Sequence, residues 1–239
     1  MAVTTIMING EPFSYESEVI TYDNNGVLDE KDAYPMLEAT QRLLSERGVP
    51  VYLAFGTLLG AIREKGIIKG DEDIDVMTDN EDNLIQALPY LYENGLCLFR
   101  HVKGRVYSFF WKGTRSYIDI YIIRPMKRSA WSIYCYALDD KATPKKYFKE
   151  YQDIDFLGLK CRCPKDPEKI VEFWYGKDWR TPVRGHKFFY CVPSYHYWSI
   201  ISYHTKNFIM TAIGWPYWRH LVLKRFKNQA ESLAEWNNK

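Results

Sequence analysis

In the first half of the chain, segments with hydrophobic residues at helical spacing alternate with short β-prone segments. Leucines at helical spacing among charged residues predict an amphipathic helix over 29–47, and Gly48 follows where a helix usually ends. Pro35 is expected near the first turn of this helix or in a short helical piece before it. The same spacing predicts a second amphipathic helix over 80–94.

Short β-prone runs between turn signals predict the strands. The Asn9-Gly10 pair favours a β-hairpin or an arm at the N-terminus, residues 1–28. The other expected strands are 51–55, 96–102, 105–111, 117–123 and 131–138, and the other expected helices are 58–64 and 167–175. The fold class that follows is α+β, with a mixed, mostly antiparallel sheet flanked by helices and a helical C-terminal part packed on it.

Composition narrows the class of protein. The 239 residues are 46% hydrophobic and 26% charged, which is typical of a packed globular chain with one large domain or two intimately packed ones. The 32 Lys and Arg residues nearly balance 30 Asp and Glu residues, so a nucleic-acid partner is not expected. The first ten residues have no basic segment followed by an apolar run, which favours a cytoplasmic location.

Five cysteines, an odd number, are expected to be free thiols in a reducing compartment. The alternative is a structural zinc site, because thiolates and imidazoles suit Zn²⁺. Its ligands would come from Cys161, Cys163, Cys191, His186 and His196. Their spacing is not a standard one.

The most informative stretch begins where the strand at 51–55 gives way to a helix. Gly56 allows a phosphate to approach the backbone closely, and the helix start offers free N–H groups and the Thr57 hydroxyl. This arrangement predicts a phosphate cradle.

Carboxylates follow the cradle. Residues 71–75 are Asp-Glu-Asp-Ile-Asp, and acidic and apolar residues alternate from 73 to 76, which puts Asp73 and Asp75 on one face of a strand. Two carboxylates so close repel each other unless they share a cation, and Mg²⁺ or Mn²⁺ suits such oxygen ligands. Asp119, the lone acid of an alternating strand, would complete the site if the two strands are neighbours. The alternative interpretation is a solvated acidic turn with Asp119 isolated at the surface.

These motifs resemble those of the LicD family, which has a nucleotidyltransferase fold. Residues 56–66, Gly-Thr-Leu-Leu-Gly-Ala-Ile-Arg-Glu-Lys-Gly, and the acidic run at 71–75 look like the family signature. A second match is 163–182, which begins with Cys-Pro and ends with Tyr-Gly-Lys-Asp-Trp-Arg-Thr-Pro. The resemblance covers roughly 35–185 and implies a catalytic core over 29–185. The chain departs from the family pattern at Lys69, Gly70 and Glu72, which bears on donor or acceptor fit more than on the chemistry.

The resemblance implies transfer of a phospho-alcohol group from a cytidine diphosphate (CDP) donor to a sugar of a cell-surface glycan or its lipid-linked precursor, with CMP released. Phosphocholine is the expected group, and ribitol phosphate or another polyol phosphate is the alternative. By the same resemblance, Asp73, Asp75 and Asp119 would be catalytic and hold the metal. Gly56, Thr57 and Arg63 would meet the nucleotide phosphates. Lipopolysaccharide or teichoic acid is the kind of acceptor that this implies.

A basic cluster surrounds the hairpin predicted before the Asp119 strand. Its members are Lys103, Arg105, Lys112 and Arg115. They would clamp the donor diphosphate, with Arg105 foremost, or form a solvated hairpin face.

Residues 186–239 are aromatic and basic, and their segment 195–227 is too interrupted by polar residues to span a bilayer. A helix covering the core is expected there, with an interfacial helix in peripheral contact with a membrane as the alternative.

Two other functions stay open on the sequence alone. The same fold could transfer a nucleotide instead of a phospho-alcohol, because the two reactions differ only in which phosphorus is attacked. A domain without turnover could also merely hold a nucleotide. The carboxylate cluster argues against that second possibility, because such a cluster is costly to keep without a catalytic use.

Overall fold

The computed structural model describes residues 2–19, 26–125, 135–139 and 141–182. The C-terminal part expected over 186–239 lies outside the described residues, and so do residues 131–134 of the strand expected over 131–138. The domain boundaries inferred from the sequence therefore stay predictions. Within the described ranges, no helix is long and apolar enough to cross a membrane.

The described chain forms four α-helices, one 3₁₀ turn and eleven strands. The helices are α1 (Glu30–Glu46), α2 (Phe55–Arg63), α3 (Glu81–Glu93) and α4 (Pro167–Tyr175), and the 3₁₀ turn is Lys145–Phe148. The strands are β1 (Ala2–Ile8), β2 (Glu11–Ser17), β3 (Tyr52–Leu53), β4 (Asp73–Thr78), β5 (Leu96–Val102), β6 (Val106–Trp111), β7 (Tyr117–Pro125), β8 (Cys135–Leu138), β9 (Lys141–Pro144), β10 (Tyr151–Phe156) and β11 (Leu159–Pro164).

A seven-stranded sheet organises the fold. Its main order is β3-β4-β7-β6-β5, with β8 paired to the end of β7 and β9 paired to β8. The β4–β7 pair is parallel, and the other pairs are antiparallel. Two further hairpins, β1–β2 and β10–β11, form separate two-stranded sheets. The predicted α+β class with a mixed, mostly antiparallel sheet is confirmed.

Helix α1 shows how sequence sets an element boundary. Asp29 caps its first turn by accepting a hydrogen bond from the Lys31 amide, and Leu37 and Leu43 on its inner face are fully buried. The helix is continuous from Glu30, so Pro35 lies just after its first turn and not in a separate helical piece before it. A proline there removes one backbone hydrogen bond, and burial of the apolar face outweighs that loss.

The hairpin β10–β11 and strand β9 were not predicted. Strand β10 has little buried apolar surface, and the buried positions at the centre of β11 are Cys161 and Cys163. Strand β11 alternates Leu159, Cys161 and Cys163 with Lys160 and Arg162, and this period-two pattern was not recognised as a strand signal.

Candidate active site

Four polar side chains form a row across four neighbouring strands, which we call the carboxylate row. Asp75 on β4 is the register partner of Asp119 on β7, Asp119 is the partner of Ser108 on β6, and Ser108 is the partner of Arg100 on β5. Asp75 and Asp119 are only 8% and 3% exposed. The alternative of a solvated acidic turn with Asp119 at the surface is therefore wrong.

Asp73 lies two residues before Asp75 on β4, next to the row on the same face of the strand, and its register partner is Tyr117. Desolvation raises the pKa of Asp73 well above its usual range, and the charges on Asp75 and Asp119 raise it further. Ionising all of these buried carboxylates therefore costs free energy in the folded protein, and a bound positive charge would offset that cost.

The start of α2 holds Asp75. The Gly56 amide donates a hydrogen bond of 2.9 Å to Asp75 Oδ2, and the Asp75 amide donates one of 2.7 Å to Thr57 Oγ1. A helix N-terminus favours a negative charge, so α2 stabilises this carboxylate. Gly56 and Thr57 thus support Asp75, and their expected contact with a phosphate stays a prediction.

Asp119 is held from the other side of the row. Arg100 Nη2 donates to Asp119 Oδ2 at 2.6 Å, and the Tyr121 hydroxyl donates to the same oxygen at 3.3 Å. Burial raises the pKa of Asp119, and this outweighs the lowering by the Arg100 charge and by hydrogen bonds from Ser108 and Tyr121. Asp119 Oδ1 is buried and has no hydrogen-bond partner among the described residues. Such an oxygen can accept a cation or a proton.

A β-bulge brings Arg100 into the row. Leu98 pairs with Phe109, but Arg100 pairs with Ser108, so Phe99 is an extra residue in β5. Without this bulge, Phe99 and not Arg100 would lie opposite Ser108. Arg100 was not among the predicted site residues for this reason, since neither the strand order nor the bulge can be seen from residue types.

The arginines chosen from the sequence lie elsewhere. Arg63 donates to the Trp179 carbonyl at 3.1 Å and pairs with Glu64, and its side chain is only 9% exposed. Arg105 pairs with Asp139, with its Nη2 atom 2.6 Å from Asp139 Oδ1. Both are engaged with these other groups, and their contact with nucleotide phosphates also stays a prediction.

No three side chains of His, Cys, Asp or Glu are gathered for metal binding anywhere in the described ranges. The donor set of the row nevertheless fits a hard divalent cation, because it consists of carboxylate oxygens and Asp119 Oδ1 is without a partner in the described structure. Cys161 and Cys163 are buried free thiols. The other three ligands of the alternative zinc site lie outside the described residues.

A mixed, mostly antiparallel sheet with buried carboxylates on adjacent strands and a helix start beside them defines a nucleotidyltransferase-like domain. Residues 48–166 match the family model described as LicD/FKTN/FKRP, nucleotidyltransferase domain. The chain belongs to the LicD family through this domain.

Two curated relatives illustrate the family. Ribitol-5-phosphate transferase FKTN of Mus musculus is 28% identical over 161 residues, which cover 64% of this chain and 34% of that protein. The uncharacterized protein RP689 of Rickettsia prowazekii (strain Madrid E) is 29% identical over 141 residues, which cover 56% of this chain and 50% of that protein. The chain thus spans half or less of the length of these relatives.

Two solved structures are similar to this chain at a low level. The antibiotic-resistance factor ANT(2'')-Ia has a TM-score of 0.43 and 14% identity, covering 88% of this chain and 99% of that one. The lincosamide antibiotic adenylyltransferase LnuA, bound to lincomycin, has a TM-score of 0.40 and 15% identity, covering 61% of this chain and 85% of that one. At these values the likeness says nothing about substrate.

Proposed function

We propose that the protein transfers a phospho-alcohol group from a CDP-activated donor to a hydroxyl group of a glycan and releases CMP. The observation that carries the proposal is the buried pair Asp75 and Asp119, joined in register, with Asp119 Oδ1 lacking a partner within the described structure. Membership of the LicD family supports a transferase, and the FKTN relatives are named as ribitol-5-phosphate transferases.

The proposal includes a divalent cation. Asp73, Asp75 and Asp119 would hold Mg²⁺ or Mn²⁺, because hard cations prefer carboxylate oxygens and these three residues lie on the adjacent strands β4 and β7. When bound, the cation would neutralise charge on the donor phosphates.

The reaction needs a base for the acceptor. The acceptor oxygen forms a bond to the phosphorus that carries the alcohol, and the bond from that phosphorus to the bridging oxygen of CMP breaks. The proton of the attacking hydroxyl must go to a base, and a solvent water takes it, because Asp119 Oδ1 and the other two carboxylates would be engaged with the cation. CMP then leaves with the bridging oxygen and its electron pair.

Ribitol phosphate is the first group to test. The curated relatives FKTN of mouse and human carry that substrate in their names. The preference for phosphocholine from the sequence resemblance stays a prediction, since no feature of the described site selects choline.

The test is release of CMP from CDP-ribitol and CDP-choline, with Mg²⁺ or Mn²⁺ and mixed glycan acceptors, compared with the same mixture in EDTA. CTP with ribitol 5-phosphate is assayed in parallel for pyrophosphate. Metal-dependent CMP release supports the proposal and identifies the donor. Pyrophosphate release would instead show nucleotidyl transfer, and nucleotide binding without either product would indicate a non-catalytic binding module.

A further inference from the structure

We propose that Arg100 is the residue that binds the donor diphosphate beside the carboxylate row. This inference rests on the proposed function, which it extends by assigning the phosphate contact to a residue outside the family signature.

Arg100 is anchored but not enclosed. Its Nε donates to Ser108 Oγ at 2.8 Å and its Nη2 donates to Asp119 Oδ2 at 2.6 Å, while its side chain is 42% exposed. A guanidinium group has five N–H donors, so two anchoring bonds leave others for an anion. The anchoring fixes the orientation of the group in advance, which reduces the entropy lost when a ligand binds.

The backbone around Arg100 is held as firmly as its side chain. The Phe99 carbonyl accepts a hydrogen bond of 3.0 Å from the Glu18 amide, and the Phe99 ring stacks on Phe110 with centroids 4.0 Å apart. The bulge that places Arg100 opposite Ser108 is therefore fixed by contacts on both sides. Bulges that redirect a side chain are common next to active sites.

The charges in the row require such a residue. A diphosphate brought beside Asp73, Asp75 and Asp119 adds negative charge to a site that is already acidic. A guanidinium group matches phosphate oxygens in geometry and stays charged at all relevant pH values.

The competing arginines are engaged elsewhere. Arg63 is almost fully buried against the Trp179 carbonyl and Glu64, and Arg105 pairs with Asp139. Arg100 has hydrogen bonds to the row itself, and this contact favours it as the phosphate ligand.

The experiment is calorimetric titration of CDP and of uncharged cytidine, in Mg²⁺, into the full chain and three variants. Arg100→Gln removes the charge, Arg100→Lys keeps a charge but not the fork of donors, and Arg42→Gln removes a matched exposed charge on α1. We expect Arg100→Gln to weaken CDP binding about 10- to 100-fold, the loss of a charge-assisted hydrogen bond, with cytidine affinity unchanged. Arg100→Lys should lie between Arg100→Gln and the wild type, and Arg42→Gln should match the wild type.

The same variants separate substrate binding from support of Asp119. If Arg100 only positioned Asp119, Arg100→Gln would lower kcat and leave both CDP affinity and donor KM unchanged, and that result would overturn the inference. Thermal melting of Arg100→Gln and Arg100→Lys shows whether each is folded. If the wild type releases CMP and Arg100→Gln binds CDP with normal affinity, the proposed role of Arg100 is wrong and the proposed function is unaffected. Wild-type protein that neither binds CDP nor releases CMP overturns the proposed function and this inference with it.

Discussion

Gly56 and Asp75 are joined by a hydrogen bond from the amide of the first to the carboxylate of the second, 2.9 Å long, although they are 19 residues apart. The bond links the first turn of α2 to strand β4. It makes the position of a buried carboxylate depend on the absence of a side chain at the start of a helix.

Replacing Gly56 by alanine is expected to disturb the site more than the fold. The added Cβ would lie 3.2 Å from both Asp71 Oδ2 and Asp75 Oδ2, so these carboxylates would have to shift. A misplacement of this size should lower the rate of CMP release by about 10- to 100-fold. Thermal melting should change little. The matched control is Gly66→Ala, whose Cβ meets nothing within 4 Å, and equal activity of the two variants would contradict the prediction.

Gly60→Ala should act on stability instead. Its Cβ would lie 2.6 Å from the Gly66 carbonyl oxygen, a contact with backbone that cannot rotate away. Overpacking of this kind costs about 1–3 kcal/mol, which lowers Tm by roughly 2–4 °C per kcal/mol in a chain of this size. Alanine is otherwise the better residue inside a helix. A Tm equal to or above that of the wild type would therefore contradict the close contact between Gly60 and the Gly66 carbonyl.

Asp73→Asn should stabilise the metal-free protein at neutral pH. Burial and neighbouring carboxylates raise the pKa of Asp73, so the folded state binds its proton more tightly than the unfolded state. Stability from this group is therefore full below the ordinary pKa of about 3.8 and is lost as pH rises towards the folded value. Asparagine has no such dependence.

The measurement for Asp73 is the difference in Tm between Asp73→Asn and wild type across pH 4 to 7 in EDTA. We expect the variant to gain stability with pH, by roughly 2–4 °C for each kcal/mol of relieved strain. Saturating Mg²⁺ should shrink the difference, because the cation would stabilise only the intact carboxylate cluster. A difference that is constant with pH would refute the assigned environment of Asp73.

The buried thiols should be slow to react. Burial raises the pKa of Cys161 to about 11 and that of Cys163 to about 12, so at pH 8 about one Cys161 thiol in a thousand is ionised. Cys97 is only partly buried and should be alkylated faster by iodoacetamide. Peptide mass spectrometry over time gives the separate rates. Equal rates for Cys97 and Cys161 would contradict this picture, and faster labelling of Cys161 after zinc chelation would favour the zinc site instead.

The alternation of residue types predicted the strands that carry the acidic residues, but not which other strands lie beside them. Alternation along 73–76 is enough to put Asp73 and Asp75 on one face. The prediction for Asp119 needed only that β4 and β7 be adjacent, which the parallel register confirms. The catalytic and metal-binding roles of the three residues stay predictions.

The rest of the row depends on facts that a single strand does not contain. Arg100 reaches Asp119 only because β5 pairs with β6, β6 pairs with β7, and Phe99 adds one residue to β5. A shift of one residue reverses the faces of a strand, so residue types alone cannot show which charged residue joins the acids. Gly56 illustrates the same limit, since its amide is bonded to Asp75 in the structure.

Asp75 and Asp119 are proposed to form the site of transfer, and CMP release by the variants Asp75→Asn and Asp119→Asn tests this proposal. The assay uses the donor that the wild type consumes, saturating Mg²⁺, and Asp139→Asn as a control that removes a carboxylate outside the row. We expect the rate of CMP release to be at least 100-fold lower for the two row variants, with thermal melting showing that both are folded, and a much smaller change for Asp139→Asn. Near wild-type CMP release by either folded row variant would contradict the proposal.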